Sequence, residues 1–209
     1  MKRITLTITI VMLAVLKGSA QQVTQVMTAW PDFRPAVVHL TDGSKLSLPL
    51  ANIFLKNSSL LYMSGEDTKE ANTKTILSVE FKDRTYYRID TLLAYPVDSV
   101  GENVLFCAKV LDLKAYKQMV TNSATITTLD VANTISYAKI DVYDDIRFPV
   151  IPIYYFKLAD ADKTVLVHER HLKRALSKEK RRMMSSAMNL PGFSWTDEKS
   201  LMRLLDMIK

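Results

Sequence analysis

The sequence predicts an α+β protein: a mainly antiparallel β domain, arranged as a meander, sandwich or barrel, followed by two C-terminal helices. Three observations predict it. Turn signals recur every ten to fifteen residues between about 36 and 120, the rhythm of antiparallel sheet. Apolar and polar residues alternate in the runs between those turns. After Glu169 the apolar spacing changes to threes and fours, which is helical, and sheet followed by helix gives the class.

Residues 1–20 have the zones of a cleaved secretory signal. Lys2 and Arg3 form a positive start, 4–16 is an uncharged run of thirteen residues, and Gly18-Ser19-Ala20 offers small residues for cleavage. Thirteen helical residues span about 20 Å against a hydrocarbon core of about 30 Å, so a permanent span is disfavoured. The expected location is therefore exported, periplasmic or secreted. The single cysteine, Cys107, is far from the cleavage point, which excludes a lipid on a new N-terminal cysteine. No later stretch is long and apolar enough to span as a helix.

Export changes the charge reading. The chain has 28 basic and 22 acidic side chains, net +6, but Lys2, Arg3 and Lys17 leave with the signal. The mature net charge is +3, too small for an expected nucleic-acid partner. One cysteine cannot form an internal disulfide. Cys107 lies in the alternating run VLFCAKV and reads as a small buried hydrophobe rather than a nucleophile.

Residues 21–35 read as an extended lead-in, because Pro31 and Pro35 disfavour helix, with Trp30 and Phe33 tacking it onto the body. The β domain is expected over 36–168. Strands at 36–40 and 45–48 flank the turn residues Asp42-Gly43, a strong hairpin signal. A strand at 60–63 follows. The polar stretch 64–74 has no large apolar side chain and reads as a loop. Strands at 75–81 and 84–93 flank Lys82-Asp83, and 104–113 and 116–120 read as a further pair. Threonine-rich 121–130 reads as loop or edge strand and 135–142 as strand. A closing hairpin is expected from 153–158 and 163–168 around Ala159-Asp160-Ala161-Asp162.

The helical segment spans 169–209. Leu172, Ala175, Leu176, Met183 and Ala187 share one face of a first helix that Pro191-Gly192 stops. Ser194 or Thr196 is expected to cap the last helix, with Asp197 and Glu198 favourable at its start and Leu201, Leu204, Leu205 and Ile208 as its buried stripe.

Candidate chemistry is sparse. His168 and His171 have helical i, i+3 spacing but lack a third metal ligand, so ordinary boundary histidines are expected. Asp141, Asp144 and Asp145 lack the glycine and distal glutamate of a calcium loop, and Asp160 and Asp162 read as turn formers. There is no G-x-S-x-G, and four glycines remain after residue 20, which argues against phosphate-cradling loops. No catalytic residue, cofactor or metal is assigned. The one distinctive feature is basic: Arg170, Lys173, Arg174, Lys178, Arg181 and Arg182, with Lys180, against Glu169 and Glu179. Such a face draws an acidic protein or anionic lipid, or is a solvated outer face.

From Asp42-Gly43 to Asn57, then at Leu61-Tyr62-Met63, Val79-Glu80-Phe81, Tyr86-Tyr87 and Val104-Leu105-Phe106, the chain resembles secreted β-rich proteins of the Bacteroidetes that have no assigned activity. The closing hairpin at 154–158 and the basic helix are also similar. The likeness is a pattern of strands and turns over most of the mature chain. It departs at Ala51-Asn52-Ile53-Phe54. The resemblance implies an envelope-associated protein and carries over no catalytic residue. It also implies O-glycosylation at Asp followed by Ser or Thr and an apolar residue, which Thr91 and Ser99 satisfy. The expected function is a non-enzymatic exported envelope protein that binds a protein or anionic envelope partner. The alternatives are a carrier of a small apolar ligand, for which nine Tyr and seven Phe supply a lining, and a hydrolase.

Overall fold

The computed structural model describes residues 27–122, 148–160 and 164–209. The expected signal peptide, the strand at 135–142, Asp141, Asp144, Asp145 and Asp162 lie outside them.

The protein is α+β. Ten antiparallel strands form one sheet: β1 (Arg34–Leu40), β2 (Lys45–Phe54), β3 (Ser59–Ser64), β4 (Asp67–Glu70), β5 (Ile76–Phe81), β6 (Thr85–Ile89), β7 (Leu92–Val100), β8 (Asn103–Leu111), β9 (Val150–Lys157) and β10 (Val165–Leu166). Their order is β10-β9-β8-β7-β6-β5-β1-β2-β3-β4. The first four strands form one meander. The chain then returns to the free side of β1 and lays down the rest in sequence.

Helix α1 (Leu113–Asn122) follows β8, while α2 (Glu169–Ala175), α3 (Lys178–Met188) and α4 (Glu198–Met207) follow β10. The sheet curls into a half-barrel. Its turns meet across the curl, where Leu93 N–H donates to Ser58 O at 2.8 Å and Leu111 N–H donates to Leu55 O at 2.7 Å.

The inner face carries the main core. A cross-strand row runs through Val38, Val79, Tyr86, Tyr95, Cys107 and Tyr154, one residue from each of six neighbouring strands. Helix α4 packs on this side with Leu201, Leu204, Leu205 and Ile208 fully buried, as its spacing predicts. Two smaller clusters complete the packing. One joins Phe54, Leu61 and Leu111 to Tyr116 of α1; the other covers the outer face of β6–β9 around Phe106 and Tyr155.

Two bulges reset which side chains face inward. On β2, Leu48 is paired with Ala36 but Ala51 with Arg34, so Pro49-Leu50 contains an extra residue. The inward positions switch from even to odd there, and Pro49 sits where a missing N–H is tolerated. On β7 the shift falls between Pro96 and Asp98.

The structure corrects several expectations. Residues 64–74 are not one loop: β4 pairs with β3 beyond the turn at Gly65, whose φ of +66° favours glycine. As an exposed edge strand of Asp, Thr, Lys and Glu, β4 has no apolar alternation, and its charges protect the edge. The strand at 84–93 is two strands, broken where Asp90 adopts φ +54°. Residues 116–120 lie in helix α1, not a strand, because Asp112 accepts from Ala115 N–H at 3.0 Å and caps it. Among the described residues of the expected strand 163–168, only Val165–Leu166 is strand. The helix expected from 169 to Pro191 breaks at Leu176-Ser177 into α2 and α3. The break shifts the phase, so Met184 is fully buried, Met183 partly, and Ala175 exposed. Asp197, rather than Ser194 or Thr196, caps α4 through Ser200 N–H at 2.8 Å.

Candidate functional site: a basic helical ledge

The segment after β10 builds a ledge of two short helices. His168 is the N-cap of α2, its Nδ1 accepting from Arg170 N–H at 3.2 Å. Leu172 is buried, and α2 ends at Leu176, which turns to extended backbone. Ser177 Oγ then accepts from Lys180 N–H at 3.3 Å and starts α3. The Arg181 guanidinium donates to Leu176 O at 3.0 Å, bracing the break. Met184 and Ala187 anchor α3 to the core, and Pro191-Gly192, with Gly192 at φ +77°, ends the segment.

With the apolar residues turned inward, the cations point out. Arg170, Lys173, Arg174, Lys178, Arg181 and Arg182 are all exposed. Lys173 pairs with Glu169 on the same helix, and Lys180 with Asp160 at 2.8 Å. The Lys180 hydrogen bond holds the Asp160 carboxyl below the usual carboxylate range. Arg170, Arg174, Lys178 and Arg182 meet no carboxylate among the described residues. An open depression of about 480 Å³ lies beside α2, lined by His168, Glu169, Arg170, Lys173 and Arg174.

Charge is segregated in the chain. Residues 27–122 carry eleven basic and eleven acidic side chains, whereas 169–188 carries seven basic and two acidic. Lys178, Lys180, Arg181 and Arg182 also crowd the first turns of α3, where the helix dipole disfavours cations. An external anion relieves both kinds of repulsion.

The other sequence candidates fall elsewhere. The His168 and His171 rings are 5.9 Å apart and edge-to-face, beside the cations of α2. Among the described residues no three His, Cys, Asp or Glu side chains are grouped to hold a metal ion. His39 faces Glu80 across β1 and β5, with Nε2 2.9 Å from the carboxylate. Thr91, in the turn just before β7, and Ser99, near the end of that strand, are both exposed.

Cys107 is fully buried in the inner row, and burial pushes its thiol pKa up, which keeps it protonated and unreactive. Burial also raises the phenols of Tyr95 and Tyr154; the latter donates to Glu198 Oε1 at 3.2 Å. The aromatic rings of the inner face contact one another: Trp30–Phe81 at 4.7 Å, Trp30–Tyr86 at 6.0 Å and Tyr86–Tyr95 at 5.5 Å between centroids.

Sequence reasoning missed the buried polar residues that shape the scaffold. Asn52 is fully buried, and its side chain accepts from Trp30 N–H at 3.3 Å and donates to Trp30 O at 2.9 Å and Asp32 O at 3.0 Å. It fills the loop by which 30–33 swings out between the residues that pair with β2 on either side. The only trace in the sequence is an asparagine within an apolar run.

No protein-family model matches the chain, and comparison with curated proteins and with solved structures returns no match.

Proposed function

We propose that the protein is a non-enzymatic, exported envelope protein that docks through the outward face of α2 and α3 on an anionic envelope component. The observation that carries this reading is the segregation of charge. A balanced sheet body bears one helical ledge with seven cations against two carboxylates, and four of those cations have no internal partner among the described residues. Fields of one sign steer an oppositely charged partner and set the orientation in which it is met. The signal-like residues 1–20 and the resemblance to secreted β-rich proteins support the compartment.

Cell fractionation of the full chain tests the reading. The expected protein begins after Ala20 by mass spectrometry, sediments with envelopes, and is released by a high-salt wash. Recovery in the cytosol with Met1 retained removes the exported reading. Envelope association that is unchanged when Arg170, Arg174, Lys178 and Arg182 are all replaced by Gln removes the docking face.

A further inference from the structure

We infer that the component met by the α2–α3 face is the phosphate-bearing headgroup layer of an anionic lipid bilayer; this rests on the docking reading above. Stable protein partners bind through a few buried aromatic or aliphatic anchors ringed by polar contacts. The outward face of α2 and α3 has no such anchor. Its exposed side chains are the cations, His171, Ala175, Glu179, Ser185, Ser186 and Asn189. The large exposed hydrophobics of the described residues lie elsewhere, at Leu46, Leu50, Leu77, Tyr87, Leu113, Val150 and Ile151, with Leu190 alone just past the end of α3.

A face with many cations and no anchor suits a surface of repeated negative charge. Three of its four unpaired cations are arginines, whose planar forks match phosphate oxygens in pairs. Beyond Leu190, half-buried Phe193 and Trp195 meet edge-to-face at 5.0 Å and pack against the main core, so they add no free aromatic anchor to the face. No described helix is long and apolar enough to cross a membrane, so attachment through this face is peripheral and reversible by salt.

Each cation near an anionic leaflet multiplies affinity by roughly fivefold, so removing four weakens binding by roughly several hundred-fold. The experiment is co-sedimentation of the mature chain with phosphatidylcholine vesicles, with and without phosphatidylglycerol. The wild-type protein is expected to bind only the phosphatidylglycerol vesicles and to leave them at about 0.5 M salt. R170Q/R174Q/K178Q/R182Q is expected to lose that binding. K45Q/K82Q/K109Q/K114Q, the same charge change on exposed positions of the sheet body and α1, is expected to keep most of it. Circular dichroism checks that both variants fold, and the wild-type arms decide without them.

Equal binding to both vesicle types, or equal losses in the two quadruple variants, overturns the inference. Binding to dextran sulfate but not to vesicles overturns it while leaving the docking reading intact. Binding to neither removes both.

Discussion

Ser58 and Leu93, thirty-five residues apart, exchange two hydrogen bonds across the curl of the sheet: the Ser58 hydroxyl donates to Leu93 O at 2.7 Å, and Leu93 N–H donates back to Ser58 O at 2.8 Å. Ser58 is fully buried and holds φ +48°, a conformation that costs a non-glycine residue about 1–2 kcal/mol. Ser58→Ala keeps the strain and strands a carbonyl, a loss of about 1–3 kcal/mol. Ser58→Gly loses the same hydroxyl but relieves the strain. Urea denaturation is therefore expected to rank wild type above Gly and Gly above Ala, with the two variants about 1 kcal/mol apart.

Asn52 gives a sharper test, because a near-isosteric change separates hydrogen bonding from shape. Asn52→Ala leaves Trp30 and Asp32 backbone groups unpartnered and is expected to cost about 2–4 kcal/mol. Asn52→Asp keeps the volume but loses the two donations to Trp30 O and Asp32 O, and buries a carboxyl against carbonyls. It is expected to cost at least as much as alanine at pH 7. Urea midpoints measure both, and a red shift in tryptophan emission reports release of Trp30.

Asp197 ties stability to pH. Hydrogen bonds from Ser200 N–H and then Ser200 Oγ hold its carboxyl below its ordinary value of 3.8. A carboxyl with a lowered folded-state pKa contributes stability that is present above the unfolded value and lost as pH falls through the folded one. Asp197→Ala is therefore expected to lower Tm at pH 7, and the gap from wild type is expected to narrow below about pH 4. A gap independent of pH down to pH 2 contradicts the cap.

Cys107 predicts a kinetic behaviour. A fully buried thiol with a raised pKa reacts with a thiol reagent only when the β7–β8–β9 region opens. Labelling of the native protein is expected to be slow, and to accelerate with urea in step with unfolding. Fast labelling in the absence of urea places Cys107 outside the core.

Much of the framework was legible from local spacing. Asp42-Gly43 marks the first hairpin, and the three-four spacing of Leu201, Leu204, Leu205 and Ile208 marks the buried stripe of α4. The misses have physical causes. Strand β4 has no buried face, so no alternation betrays it. Strand β7 contains Pro96 and a bulge that exchanges its faces. Tyr116 and Met119 of α1 pack on the same cluster, a helical i, i+3 spacing in a segment too short to distinguish from a strand until Asp112 is seen as its cap. Of the basic residues, the whole run was visible, but the pairing of Lys180 with Asp160 was not, because it joins a helix to the turn after β9.

Taken alone, the chain's order of residues determined the α+β class and the crowding of positive charge into 169–188, because each depends on neighbours a few positions apart. Only the tertiary structure decided which of those cations remain unpaired, how Tyr86, Tyr95, Cys107 and Tyr154 line up, and that Ser58 reaches Leu93. Those relations join residues tens of positions apart, and they exist only once bulges and strand register have set the curl of the sheet.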